Sequence, residues 1–277
     1  MLFLILFLIC NIISLPLIAG EYSFDSADEL ERFLNENGYT ISAILAGKDL
    51  NIKEFPDDFG SIYSVQRKKK LFKKIILPLA LKENRRIATC RHWLQVIRRR
   101  WRENGSLNEL EETFLNKLLV SYRLYKSDEL PETVDDDIFQ RLLSRVNIVP
   151  TSLVLAQAAN ESGWGTSRFV LKANNIFGQW TFNKSMGLKP AGVDDSARHR
   201  VRIFPSLQAS VRSYMRNLNT HRAYRKFRRL RAKGSPDGID SLELVKGLES
   251  YSQRGQDYVQ DIAGMIKHNN YREFDEL

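Results

Sequence analysis

The sequence predicts a mainly helical α+β chain, with helices throughout and one small antiparallel β-hairpin lobe in its second half. Three observations carry this. Apolar residues recur at three- and four-residue steps over most of 26–146 and again beyond 207. Alternation of period two is confined to Ile176–Phe182 and Val201–Ile203, which suits a short hairpin. A polar, acidic stretch at 127–137, SDELPETVDDD, separates the two halves and reads as a linker. The length of 277 residues is ample for a packed core without disulfide staples. The two cysteines, Cys10 and Cys90, exclude a disulfide scaffold and a Cys-based zinc cluster.

Residues 1–20 carry no charged side chain, and Met1 to Ile9 are uninterrupted apolar. Ala19 and Gly20 are small and precede Glu21, so the segment reads as a signal peptide cut there, although its start lacks Lys and Arg. An uncleaved membrane anchor is the rival, since about twenty apolar residues can span a bilayer. Either way the expected location is exported, in the periplasm or cell envelope.

A helical N-terminal region follows at 21–126. Ser26 and Glu29 make a capping box ahead of Leu30, Phe33 and Leu34, and Gly38 suits the stop. Residues 45–65, with Pro56 and Gly60, read as irregular. Two basic helical stretches come next. Leu71, Ile75, Ile76 and Leu79 share a face, with Pro78 expected to kink or end that helix. Ile87, Cys90, Leu94, Ile97 and Trp101 form the second face, which makes Cys90 a buried small hydrophobe. Ser106 with Glu109 is expected to cap a further helix bearing Leu110, Phe114, Leu118, Tyr122 and Tyr125. The second unit spans 138–277. Ile138 to Val146 mark one helix, and Pro150 opens another that runs to about Glu161, with Gly163 just past its end. Helices are expected again at about 207–230, 240–249 and 256–268.

The formal net charge of +9 is a difference between blocks. Residues 66–102 hold fourteen bases and one acid, and 198–233 hold twelve bases and no acid; 21–65 and 103–140 each hold ten acids and three bases. Such charge suggests a polyanionic partner. The runs Arg98–Arg100 and Arg225–Arg229 also read as solvated helix faces.

The segment Asn160–Glu161–Ser162–Gly163–Trp164–Gly165 places a carboxylate at the end of an apolar helix, next to glycines and an indole. The negative end of the helix dipole and exclusion of water by the ring both disfavour the charged carboxylate. Both raise its pKa, as a proton donor near neutral pH requires. An ordinary exposed Glu in a turn beside a core Trp fits the same residues. The histidines His92, His199, His221 and His268 make no ligand spacing, and no metal site, nucleotide loop or cofactor is expected.

"ESGWGTS" at 161–167 followed by "NNIFG" at 174–178 resembles the glucosaminidases of glycoside hydrolase family 73. "ESYSQRGQDYV" at 249–259 is similar to that family's C-terminal tyrosine motif. "LFKKIILPLALKENRRI" at 71–87, "GQWTF" and "SVRSYMRNLNTHRAYRKFR" look like its Bax-like branch, so the resemblance covers roughly 65–270. It implies a lysozyme-like fold and cleavage of peptidoglycan glycan strands at N-acetylglucosamine. It sets Glu161 on the family's catalytic acid and Tyr251 on its active-site tyrosine. Asn175, Phe177 and Gly178 match the loop that shapes the cleft. Trp164 and Trp180 are our own sugar-stacking candidates, each equally suited to core packing. Glycoside hydrolysis ordinarily uses two carboxylates. The hairpin lobe offers Asp194 and Asp195 for the second, in a loop where solvated charge is the default; attack by the substrate's acetamido oxygen is the alternative. A lytic transglycosylase and a noncatalytic binder of an anionic wall polymer are the competing functions. Nucleic acid is set aside because an exported protein seldom meets it, and the block 198–233 is expected to help hold a wall polymer bearing acidic peptides.

Overall fold

A computed structural model describes residues 20–189, 200–234 and 239–275. Residues 1–19, and with them the expected signal peptide or anchor, lie outside the described residues, as do Asp194 and Asp195. Among the described residues no helix is long and apolar enough to cross a membrane.

The upstream part contains α1 (Ala27–Glu36), α2 (Ile41–Leu45), α3 (Val65–Asn104) and α4 (Glu109–Ser121). Ser26 Oγ accepts from the Glu29 amide at the start of α1, while the Glu29 carboxylate accepts from the Asp25 amide, one residue outside the expected box. Helix α3 corrects the two-helix expectation for 71–101. It is one continuous helix of 40 residues, running through Pro78. The lost amide and the ring clash oppose this, but residues 75–81 are buried on every side of the helix. Packing on several elements at once outweighs the local preference to break. Helix α3 stops at Gly105, whose φ of +74° closes the last turn. The cap of α4 is also shifted from the expected Ser106. Asn108 Oδ1 accepts from Leu110 and Glu111, and Glu111 returns a bond from the Asn108 amide.

The second part contains α5 (Asp136–Arg145), α6 (Thr151–Ser162), α7 (Arg168–Ala173), strands β1 (Trp180–Thr181), β2 (Gly187–Leu188) and β3 (Arg200–Arg202), then α8 (Leu207–Thr220), α9 (Arg225–Ala232), α10 (Ser241–Leu244) and α11 (Gln256–His268). The expected hairpin is a three-stranded antiparallel sheet with β3 in the middle. Trp180 and Leu188 both pair with Val201. Ile176 and Phe177, expected to lead into the hairpin, are instead buried in the loop before β1. The expected helix at 207–230 is two, parted at His221.

Helix α6 is the hub. Every residue from Thr151 to Ala159 is buried, enclosed by α3, α11 and the C-terminal turn Tyr271–Phe274. Its N-terminus is held by Asp275, whose carboxylate accepts from the Ser152 amide at 2.8 Å and the Ser152 hydroxyl at 2.6 Å. A single hydrophobic core runs from Ala27 to Phe274, so the helices on both sides of 127–137 share it.

The chain leaves α6 through three consecutive residues with positive φ, Gly163 (+57°), Trp164 (+60°) and Gly165 (+83°). A tryptophan seldom adopts this backbone. Here its indole is held edge-on to Phe72 of α3 at 5.5 Å, with the Lys69 ammonium 4.4 Å over the ring. A methyl group on Gly165 would lie 2.9 Å from the ring of Phe55. The upstream region thus braces the turn after Glu161. Replacing Gly165 by Ala combines overpacking with a left-handed backbone and should cost about 2–4 kcal/mol, read as a lower urea midpoint at unchanged m-value. A midpoint equal to wild type would show that the bracing contributes nothing.

Candidate active site

Glu161 occupies the last turn of α6 and is half-buried. Its Oε1 accepts two hydrogen bonds, from the Tyr258 hydroxyl at 2.8 Å and from Asn160 Nδ2 at 3.2 Å. Burial raises the pKa of the carboxyl, and these two donors partly oppose the rise. The desolvation expected from the sequence is therefore present, and a wall of tyrosines stands close to the carboxyl.

Tyr258 comes from the first turn of α11 and ends a polar chain. Tyr214 of α8 donates to Gln157 Oε1, Gln157 Nε2 donates to the Tyr258 hydroxyl at 2.7 Å, and Tyr258 donates to Glu161. Gln157 is one helical turn before Glu161 on α6, so both project from the same face. Tyr214, Gln157 and Tyr258 are all buried. Every proton in the chain points toward the carboxylate. Burial and the proximity of Glu161 raise the pKa of all three tyrosines that line this wall with Tyr258: Tyr214, Tyr224 (to about 12) and Tyr251. Tyr258 is raised for the same two reasons. These phenols remain neutral donors at any physiological pH.

The residues singled out by sequence fall into three groups. Tyr251 lies one ring away from the acid. It stacks parallel on Tyr258 at 5.4 Å, and its hydroxyl donates to the Phe177 carbonyl at 3.2 Å. The direct partner of Glu161 is Tyr258, not Tyr251. Asn175 and Phe177 are buried and support the site from behind. Asn175 Nδ2 donates to the carbonyls of Gln179 and Arg202, both at 2.8 Å, and pins β1 and β3 to the helical body. Phe177 stacks on Tyr214 with ring centres 3.8 Å apart. Trp164 packs against Phe72 and Lys69 and borders Met265 and His268 on α11. Met265 and His268 lie roughly two to three turns along α11 from Tyr258. Trp180, 54% exposed, stands on the sheet lobe next to the exposed Phe182. Among the described residues no second carboxylate touches Glu161, and no group of His, Cys, Asp or Glu could hold a metal ion.

Residues 136–271 match a family model described as glucosaminidase, mannosyl-glycoprotein endo-beta-N-acetylglucosaminidase. The chain is also 30% identical over 204 residues to the protein bax of Escherichia coli (strain K12), an alignment covering 73% of this chain and 70% of that protein. The chain belongs to the glucosaminidase family. No solved structure matches it. The mostly helical architecture with its small antiparallel sheet is the lysozyme-like α+β fold of a glucosaminidase domain, and the family assignment makes the chain a glycoside hydrolase by class. The glucosaminidase match begins at α5 and ends in the turn after α11. It therefore contains Glu161 and its whole tyrosine wall but not α1–α4. Sequence reading missed Tyr258, Gln157 and Tyr214. The i, i+4 spacing of Gln157 and Glu161 was the available signal for the first link of the chain.

A raised carboxyl pKa costs stability above the usual carboxylate range. Between the unfolded pKa, about 4.3, and the higher folded value, the native state binds more protons, so stability falls as pH rises through that window. Glu161→Gln removes this cost and keeps an oxygen for Tyr258. The variant should melt no lower than wild type at acid pH and higher at neutral pH. A gap that shrinks on raising the pH would contradict the assigned direction.

Proposed function

We propose that this chain is an exported peptidoglycan hydrolase, an endo-β-N-acetylglucosaminidase that cuts β-1,4 bonds of the glycan strand with Glu161 as general acid. The observation that carries the reading is the half-buried carboxyl at the end of α6, held on one oxygen by Tyr258 and Asn160 with its pKa raised by burial. Both donors fall on Oε1, which leaves Oε2 to carry the proton toward the glycosidic oxygen. The leaving sugar departs with that proton, and water completes the cleavage at the anomeric carbon.

The partner that assists the anomeric carbon is either Asp194 or Asp195 or the substrate's own 2-acetamido oxygen. Trp180 and Phe182 on the sheet lobe supply exposed aromatic faces on which sugar rings can stack. Tyr251 supports the site by stacking behind Tyr258. Export rests on the apolar residues 1–20 and on a wall polymer as substrate.

Glu161→Gln should abolish lysis in a wall zymogram and leave a folded protein; full activity in that variant would defeat the assignment. Product masses then distinguish hydrolysis, which adds water, from transglycosylation, which yields a 1,6-anhydro end. Tyr258→Phe removes a hydrogen bond that lowers the Glu161 pKa. The acid should then keep its proton to higher pH, moving the basic limb of the pH–rate profile upward, with a lower maximal rate as Gln157 loses its partner. An unmoved limb would separate Tyr258 from the proton-donating step. Turnover of the Asp194→Asn, Asp195→Asn double variant tests the second carboxylate, since unchanged rates would assign the assisting group to the substrate.

A further inference from the structure

Away from Glu161, the seam between α3, α4 and α8 encloses a cavity of about 80 Å³. Its lining includes Glu83, Arg86, Tyr122, Arg212, Arg216 and Asn219. Glu83 is its single acid, 1% exposed, and its carboxylate is already occupied. Arg86 bonds it through Nη2 at 2.6 Å and Nε at 3.1 Å, and Arg212 Nε reaches Oε2 at 3.2 Å. That leaves the guanidinium of Arg216 half-buried, with no hydrogen-bond or ion-pair partner among the described residues. Burial and the nearby Arg123, Arg202 and Arg86 disfavour its charge, and Glu83, already shared by Arg86 and Arg212, is the one neighbour that favours it. An arginine keeps its proton in a protein, so among the described residues the cavity sets three guanidinium groups, Arg86, Arg212 and Arg216, against the single carboxylate of Glu83.

Asn219 adds an independent observation. It is fully buried, its Nδ2 donates to the Asn147 carbonyl at 2.9 Å, and its Oδ1 has no partner. The cavity thus has a place for a further negative charge and for a hydrogen-bond donor to Asn219 Oδ1. Water would supply the second but not the first. A hydrogen phosphate group supplies both, and guanidinium forks suit its geometry. We infer that this cavity binds a phosphate group, held by Arg216 with Arg86 and Arg212, as a bridge between the upstream helices and the glucosaminidase unit. Arg212 and Arg216 each stand two residues from Tyr214 on α8, hence on the other side of the helix from the tyrosine that serves Gln157. The site is separate from the acid and does not depend on the glycosidase reading.

Thermal unfolding of the full chain, titrated with inorganic phosphate against chloride at fixed ionic strength, tests it. The wild-type midpoint should rise with phosphate concentration as for a ligand of the native state. Arg216→Gln should lose that rise and, in chloride alone, melt no lower than wild type, because an unpaired cation has been removed. Arg99→Gln, an exposed charge on α3 outside the cavity, should keep the full response. A parallel titration with glycerol phosphate separates the sources: a response there assigns the site to a phosphate carried on a larger molecule, and its absence to the free ion. A wild-type midpoint indifferent to phosphate, an equal rise in Arg216→Gln, or a destabilised Arg216→Gln in chloride would each overturn the site.

Discussion

The enclosure of α6 is the constraint on which the rest of this structure depends. A helix buried over its first nine residues can expose only its end, and that end carries Glu161. Burying such a helix requires partners on all sides, and α3, α11 and the C-terminal turn provide them. The same packing that makes the core also sets the chemistry. It puts Gln157 and Tyr258 behind the carboxyl and leaves Glu161 half-buried at the end of the helix. The desolvation that would suit the proposed proton donor is at the same time a cost for an ionised carboxylate.

The basic block at 198–233 has a more structural meaning than its charge suggests. Arg231, 3% exposed, donates to the carbonyls of Ser144, Asn147 and Ile148. Arg228, 8% exposed, donates to those of Leu218 and His221. Arg91 of the first block does the same for Leu143 and Val146, and Arg145 for Tyr122 and Arg123. These cations satisfy orphan carbonyls where helices end and the dipole is negative. Two of the twelve bases in this block, Arg228 and Arg231, are thus taken up inside the fold, and a solvated face is the wrong description of Arg228. Burial lowers the pKa of both, Arg231 to about 9.

The upstream helices are part of the same body. Phe55, Phe59 and Phe72 close around the turn Gly163–Gly165, and Lys172 of α7 pairs with Asp57 at 2.7 Å. The unusual backbone of Trp164 is held in place by residues outside the span that the glucosaminidase match covers. That arrangement gives the region before residue 136 a physical task, which is to hold the turn that follows the acid.

The sequence by itself determined the helical class, the existence of a small antiparallel lobe, the limits of α6 and the position of Glu161 at its end. Those are local properties, written in periodicity, caps and a glycine stop. The resemblance carried by ESGWGTS and NNIFG determined the family. Only the tertiary structure decided that Pro78 lies inside one long helix, since burial on several sides outweighs a single missing hydrogen bond. It alone decided which tyrosine meets the acid. Tyr251 and Tyr258 are seven residues apart and alike in type, and their roles depend on how α11 crosses α6. It also decided that Trp164 packs on Phe72 and Lys69 and that Asn175 and Phe177 lie within the core. Spacing along the chain records which side chains share a helix face, whereas the meeting of faces from distant helices is settled by packing.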